Sequence, residues 1–215
     1  MATKKTPDEY GILRAMILKG DVMPNERLVE ADYAERLGTN RANIRRAFAR
    51  LEQDGLVVSE PFKGTHVRKL TEAEAVEIFE VRGALETLLV AHATAKATEA
   101  DKAELRSLVK KMNATFAKGD PLAVVRASRA VRVEMWRISK HATGTRILDN
   151  LNSQLVRVWF QAFMLPGRTQ AIVTEIENVV EAVCAGSVDK AVRAMRRYHD
   201  LAINNLKKAL TQRAD

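Results

Sequence analysis

The chain has 215 residues, 47% of them hydrophobic, and this length allows either one large domain or two small ones. The net charge of +8 fits a polyanionic partner, but residues 1–68 hold 12 basic and 10 acidic side chains, so total charge does not locate the contact. The single Cys184 excludes an internal disulfide and fits a reducing compartment. The sequence has no apolar run long enough to span a membrane and no apolar signal core, and we therefore expect a cytoplasmic protein.

Three short helices are predicted at the start of the chain. Residues 10–18 carry apolar side chains at helical spacing and are followed by a glycine capping signal. Residues 26–36 hold the second helix and the approach to it. A tight turn then leads into the third helix, which Thr39 or Asn40 caps and which ends at Asp54-Gly55.

The third helix has an apolar back and two cationic edges. At about 100° per residue, one side collects Ile44, Ala47, Phe48 and Leu51. Arg41 and Arg45 lie four residues apart on another side, and Arg46 and Arg50 form a second pair. Such a helix packs by its apolar face while its N-terminal arginines reach base edges or phosphates in a major groove. The alternative is an ordinary solvated face, since arginine is a good helix former.

A two-stranded hairpin is predicted after the third helix. Residues 56–58 form a short apolar strand, residues 60–64 a turn with a basic glycine tip, and residues 65–68 the returning strand. Three helices followed by such a hairpin predict a winged helix-turn-helix domain over residues 7–68.

This segment resembles the DNA-binding domain of the GntR family of bacterial transcriptional regulators. The family pattern agrees in order and spacing at Ile17-Leu18-Lys19-Gly20, Pro24, Glu26-Arg27-Leu28, Glu30, Leu37-Gly38, Arg41, Arg45, Leu51, Asp54-Gly55-Leu56-Val57 and Gly64-Thr65-His66-Val67. The resemblance implies that Arg41, Arg45 and Gly64 contact operator DNA. Asn40, Asn43 and Lys63 are neighbours that we expect to add contacts.

Among the positions that depart from the family pattern are Asn43 and Arg46 of the third helix. Asn43 stands where proline is common, and we expect it to change the base preference. Arg46 stands where glutamate is usual, which reverses a charge and favours stronger attraction to phosphates. The alternative for Arg46 is neutral variation of an exposed position.

The rest of the chain, residues 69–215, is predicted to be an all-α domain. Helical periodicity continues almost to the end, with breaks near residues 98–101, 118–121, 142–145, 165–168 and 185–187. We therefore predict a mainly α protein whose second domain is an antiparallel bundle of six or seven helices. No Ser/His/Asp set, phosphate-binding glycine loop or carboxylate pair is visible, and we expect no enzymatic activity.

The bundle resembles the FCD effector domain found in the FadR branch of the GntR family. Residues 77–86 resemble its opening helix, and residues 181–195 resemble its last two helices. In many such domains one aspartate and three histidines hold a divalent metal. The corresponding residues here are Val131, Met135, Ile176 and Tyr198, and the resemblance therefore implies a domain without metal or other cofactor and with a more apolar cavity.

Three residues adjoin the substituted positions by one step: Glu134, Glu177 and His199. A one-residue step turns a side chain by about 100° on a helix, which takes these residues off the cavity face. We interpret them as solvated or ordinary helix residues; the alternative is a shifted metal site. Arg82 is the candidate cation for an effector carboxylate if it faces inward, and otherwise an exposed partner of Glu86.

These patterns together predict a DNA-binding transcriptional regulator. A single winged helix reads few base pairs, so we expect a homodimer on a palindromic operator, controlled by a small-molecule effector such as an organic acid. Trp136, Trp159, Phe160 and Phe163 are expected to build core or dimer contacts. The alternative is an effector-independent DNA-binding protein with a vestigial ligand domain, and repression and activation both stay open.

Overall fold

The computed structural model describes residues 8–155 and 168–211, and this part of the chain is mainly helical. It divides into two compact units. The first contains the described residues up to Thr71 together with 152–155, and the second contains the remaining described residues. Each unit has an apolar core of its own.

The first unit combines three helices with a small antiparallel sheet. The helices are α1 (Glu9–Lys19), α2 (Glu30–Arg36) and α3 (Arg41–Gln53), and the strands are β1 (Arg27–Leu28), β2 (Val57–Glu60) and β3 (Gly64–Val67). The strand order is β1-β3-β2. This arrangement is the predicted winged helix-turn-helix.

Strand β1 corrects one detail of the sequence interpretation. The sequence predicts residues 27 and 28 as the approach to the second helix, yet they pair with β3 in the register Arg27↔His66 and Leu28↔Thr65. The backbone of Val67 donates to Glu26 at 3.0 Å and accepts from Asn25 at 2.9 Å, so the edge of the hairpin draws this segment into the sheet.

Side-chain caps set the helix starts that matter for the site. The Asp8 side chain accepts from Gly11 N at 2.9 Å at the start of α1. Asn40, rather than Thr39, caps α3, because its Oδ1 accepts from Asn43 N at 2.9 Å. The cap fixes where α3 begins and therefore which way its arginines point.

The second unit is a helical bundle whose described residues belong to six helices, and the last four residues of the fourth of these helices are counted with the first unit. They are α4 (Glu72–Lys96), α5 (Glu99–Phe116), α6 (Pro121–Ser139), α7 (Ala142–Leu155), α8 (Arg168–Cys184) and α9 (Val188–Thr211). Helix α4 packs against α6 and α9, α5 packs against α6 and α8, and α8 packs against α9. The predicted mainly α fold is confirmed.

The apolar core of the bundle is built mostly from α6, α8 and α9. Trp136, one of the aromatics expected in the core, is buried and packs with Leu89 and Leu148. Trp159, Phe160 and Phe163 lie outside the described residues. None of the described helices is both long and apolar enough to cross a bilayer.

Candidate functional site

Helix α3 presents its basic edge to solvent because its apolar edge is sealed in the core of the first unit. Ile44 and Leu51 have no solvent exposure, and Phe48 stacks edge-on against Tyr33 of α2 with ring centroids 6.1 Å apart. Arg41 and Arg45 point away from that core and are exposed. The core therefore orients the arginines, as the sequence pattern predicted.

Arg45 is held by a bidentate ion pair with Glu30 at the start of α2. Its Nε donates to Oε1 at 2.8 Å and its Nη2 donates to Oε2 at 2.7 Å. The hydrogen bonds from Arg45 lower the pKa of Glu30. Because the arginine side chain is 71% exposed, the pair is screened by water and contributes little to folding. The pair fixes the plane of the Arg45 guanidinium. Because the pair is weak, the guanidinium can leave Glu30 for an acceptor that binds it more strongly.

Asn43 and Arg46, which both depart from the family pattern, are joined by a hydrogen bond. Arg46 Nη2 donates to Asn43 Oδ1 at 2.5 Å. Asn43 Nδ2 in turn donates to Glu9 Oε1 and to Thr39 Oγ1, both at 2.9 Å. A hydrogen bond from Thr39, at 2.7 Å, is the main reason that the pKa of Glu9 is lowered. A chain of polar contacts thus runs from α1 to the side chain of Arg46.

Arg50 is engaged within the protein and differs in this from Arg46. Its guanidinium lies 3.9 Å from the ring centroid of Tyr10, and its Nη1 donates to Asp8 Oδ2 at 2.8 Å. The Tyr10 hydroxyl donates to Asp54 at the end of α3. These contacts hold α1 against the C-terminal half of α3.

The hairpin tip carries the two predicted wing residues. Gly64 has a φ of 80°, which glycine adopts readily, and the Lys63 ammonium lies 2.6 Å from Glu60 Oε2. The sequence interpretation missed two neighbours. Arg27 lies beside the tip, since a Cβ built on Gly64 would be 3.3 Å from its Nε, and Phe62 is fully exposed.

A second candidate site is a charged cluster inside the bundle. Glu86 of α4 is fully buried, and its Oε1 accepts from Arg82 Nη2 at 3.1 Å and from Arg132 Nη1 of α6 at 2.8 Å. Its Oε2 lies 3.2 Å from His199 Nε2 of α9. The Arg132 guanidinium also lies 5.3 Å from the ring centroid of Tyr198. The cluster therefore joins three helices through one carboxylate.

The cluster holds more positive than negative charge. Burial alone would raise the pKa of Glu86, but Arg132 and His199 outweigh it and lower the pKa below its ordinary value. Burial lowers the pKa of His199, so the ring is neutral at pH 7 and donates through Nε2 to the carboxylate. Arginine stays protonated, and the four side chains of Arg82, Glu86, Arg132 and His199 carry an excess of one positive charge.

Two nitrogens of the cluster, Arg132 Nε and His199 Nδ1, have no hydrogen-bond partner among the described residues. They are a donor and an acceptor, respectively, since His199 carries its proton on Nε2. Buried polar atoms of this kind are rare in folded proteins and mark sites where water or a ligand completes the bonding.

Of the two alternatives for Arg82, the exposed one is wrong: Arg82 faces inward, is fully buried and is bonded to Glu86, and its contact with an effector carboxylate stays a prediction. The interpretation of His199 as an ordinary surface or partly buried residue is wrong, because it is 3% exposed and faces Glu86. A signal for the cluster existed: Phe79, Arg82, Glu86 and Leu89 follow the helical period of a buried face.

The four residues at the family's metal positions come together in the same core. Val131, Met135, Ile176 and Tyr198 all belong to the main apolar cluster of the bundle and are at most 5% exposed. Three apolar side chains and a phenol do not offer the imidazole and carboxylate ligands that such metals take, so these residues do not fit a metal. Among the described residues no three His, Cys, Asp or Glu side chains are grouped as a metal site would require.

The shifted alternatives are engaged elsewhere. Glu134 pairs with Arg137, and Glu177 accepts from Asn113 Nδ2 at 2.5 Å.

A groove of about 410 Å³ lies between α4 and α9, and His199 and Gly83 are part of its lining. The groove therefore reaches one member of the buried cluster from the surface.

Comparison with known families identifies both units. The family described as bacterial regulatory proteins, gntR family, matches residues 10–67, and the FCD domain matches residues 77–200. The chain belongs to the GntR family of regulators with an FCD domain. It is therefore a transcriptional regulator with a winged helix-turn-helix and an effector-binding domain, and not an enzyme.

Relatives of this GntR-family chain include other regulators. The uncharacterized HTH-type transcriptional regulator YdhC of Bacillus subtilis is 36% identical over 106 residues, which span 49% of this chain and 46% of YdhC. An uncharacterized HTH-type regulator of Mycobacterium tuberculosis is 29% identical over 94% of this chain and 88% of its own length. The solved structure of E. coli McbR/YncC has a TM-score of 0.76 at 21% identity, covers 93% of this chain and 95% of its own, and supports the fold.

Proposed function

We propose that this GntR-family regulator binds a palindromic operator as a homodimer and that an anionic metabolite bound in the bundle controls the binding. The exposed guanidiniums of Arg41 and Arg45, oriented by the sealed apolar face of α3, are the observation that carries the DNA-binding part. Asn40, Asn43, Arg46, Lys63 and Gly64 complete the proposed contact surface. Bacterial operators lie in the cytoplasm, and the proposal locates the protein there.

Arginine contacts to guanine are tested by substitution. If Arg45 makes a bidentate contact with a guanine, Arg45→Ala weakens specific binding by about 1–3 kcal/mol, or roughly 5- to 150-fold. Arg193→Ala, which removes an exposed arginine from α9, is the matched control and leaves affinity unchanged. Equal operator affinity of Arg45→Ala and wild type in a titration would reject the role of Arg45.

The dimer follows from the small footprint of one winged helix. One α3 reads a few base pairs, so a two-fold pair on half-sites about one helical turn apart supplies the specificity that a genome requires. Sedimentation of the free protein and of its complex with a selected duplex tests this. A complex with a single chain per duplex contradicts the homodimer.

The effector class is inferred from the buried charge. Arg132 is buried, its Nη1 donates to Glu86, and its Nε has no hydrogen-bond partner among the described residues. A buried guanidinium is unfavourable unless its charge and its N–H donors are compensated. We therefore propose that a carboxylate or similar oxyanion binds at Arg132 without a metal, next to the apolar surface of Val131, Met135 and Ile176.

Thermal unfolding with a panel of small carboxylates tests the effector proposal. A bound anion raises the melting temperature of the wild-type protein with concentration. Arg132→Met removes the response, while Arg129→Met, an exposed arginine on the same helix, retains it. A stoichiometric transition metal in the purified protein would contradict the metal-free assignment.

The alternative is an effector-independent regulator with a vestigial ligand domain. Val131, Met135 and Ile176 are at most 1% exposed, and a core packed this closely favours that alternative. It predicts that none of the anions shifts the melting temperature although operator binding is intact.

A further inference from the structure

The tip of the β2–β3 hairpin presents a phenylalanine to solvent. Phe62 has a relative exposure of 106%, whereas the other exposed large apolar residues of the described part lie between 37% and 61%. An aromatic ring contributes to folding by leaving water, and this ring does not leave it. Phe62 is therefore available to a partner and contributes no packing to the first unit.

The backbone at Phe62 is one that phenylalanine disfavours. Lys63 N donates to Glu60 O at 3.2 Å and closes a turn with Pro61 and Phe62 at its centre. Phe62 has a φ of 66°. A turn with proline second and a positive φ third is of type II, in which glycine or asparagine is the usual third residue. Such strain concentrates at functional positions, and here it coincides with a fully exposed ring.

The surroundings of Phe62 fit duplex DNA. The Lys63 ammonium at the tip pairs with Glu60, whereas the Phe62 ring is fully exposed. Arg27 lies beside the tip and, among the described residues, makes no ion pair. The hairpin shares its core with the recognition helix, because Val57 and Val67 pack in the same cluster as Leu51 of α3. The cation of Arg27 beside the exposed ring of Phe62 matches the arrangement of a phosphate beside a base in duplex DNA.

We propose that Phe62 is a DNA-contacting residue that inserts its ring as an apolar wedge at a base-pair step in the minor groove beside the site read by α3. Phenylalanine wedges in minor-groove proteins partly unstack a step and bend the duplex. Arg27 binds the phosphate that flanks this step. The inference rests on the proposed DNA-binding function and adds to it a contact that the arginines of α3 do not make.

The strained turn allows a test that separates contact from folding. Phe62→Gly removes the ring and relieves the positive φ, so the free protein keeps or gains thermal stability. The same change weakens binding by about 5- to 150-fold, the range for loss of one aromatic stacking contact with a base. Met23→Ala, which removes an exposed apolar side chain from the same unit, is the control and changes neither quantity.

The probe is a duplex enriched from a random-sequence pool by the full-length wild-type protein, labelled at both ends for energy transfer. Wild type bends this duplex and Phe62→Gly bends it less. Phe62→Trp binds as wild type does, and DNA quenches its added fluorescence by stacking. A Phe62→Gly protein with undiminished affinity and bend overturns the wedge, and so does one that loses affinity and thermal stability together.

Two further outcomes separate the alternatives. Loss of affinity in Phe62→Gly without a change in bend, and without quenching in Phe62→Trp, assigns the ring to the sugar-phosphate surface and overturns the wedge. Binding to anionic phospholipid vesicles that depends on Phe62, with unchanged DNA affinity, assigns the ring to membranes and also overturns it. If Arg45→Ala loses affinity while Phe62→Gly retains it, this inference fails and the proposed function stands.

Discussion

The carboxylate of Glu86 is expected to contribute more to the stability of the bundle than any exposed acid. Glu86→Gln keeps the volume of the side chain but removes the negative charge between two buried guanidiniums. Removing one partner of a buried ion pair costs about 3–5 kcal/mol, and the retained amide oxygen argues for the lower end. For a chain of this size, about 3 kcal/mol lowers the melting temperature by roughly 6–12 °C.

The matched control is Glu99→Gln on α5. Glu99 also forms an ion pair, with Lys102 at 2.8 Å, but it is 83% exposed, and such a pair is worth less than about 1 kcal/mol. Thermal and urea unfolding of both variants at 0.1 M and 1 M salt measure the difference. The loss in Glu86→Gln persists at high salt because the ion pairs of Glu86 with Arg82 and Arg132 are buried, and salt screens buried pairs much less than exposed ones. A shift no larger than that of Glu99→Gln would show that Glu86 does not neutralise the guanidiniums.

Three further predictions concern His199, Gly83 and Arg46. The pKa of His199 is lowered in the folded state, so unfolding takes up a proton and stability falls as the pH drops below about 6.5. His199→Asn, with Glu86, Arg82 and Arg132 unchanged around it, reduces this dependence of the unfolding free energy on pH, measured between pH 7.5 and 5.5. An equal dependence in both proteins contradicts the assignment. Gly83→Ala destabilises the bundle by about 1–3 kcal/mol in urea unfolding, because the added Cβ would lie 3.2 Å from the His199 ring. Since alanine is ordinarily the better helix former, a gain in stability would contradict this clash. Arg46→Glu restores the usual family residue. If Arg46 binds a phosphate, this change lowers the slope of log affinity for DNA against log salt concentration by about 1. An unchanged slope assigns Arg46 to the solvated surface.

The outline of the fold was predictable because its signals are local. The apolar period of α3, the capping residue before it and the glycine turns around the hairpin each act within a few residues. Strand β1 was missed for the opposite reason. Two residues carry no period, and Arg27 and Leu28 form a strand because they pair with the edge of β3.

The interior of the bundle was predictable in its apolar part only. Val131, Met135, Ile176 and Tyr198 do share one core, as the alignment of the family pattern implied. The sequence interpretation considered Glu86 only as an exposed partner of Arg82 and did not name Arg132, because charged residues on a helix are normally assigned to solvent. Their burial depends on pairing across α4, α6 and α9. A buried ion network is a property of the packed helices, and a single helix read by itself does not reveal it.

The polar ties between α1 and α3 bear on the transfer of operator preference between regulators of this fold. Thr39 and Asn43 hydrogen-bond to Glu9, and Arg50 pairs with Asp8. A graft of α3 alone into a related scaffold would separate Asn43 from the acceptor that orients it, and the amide would turn to other partners. A chimera that keeps the operator preference of α3 therefore needs the first turn of α1 from the same parent protein.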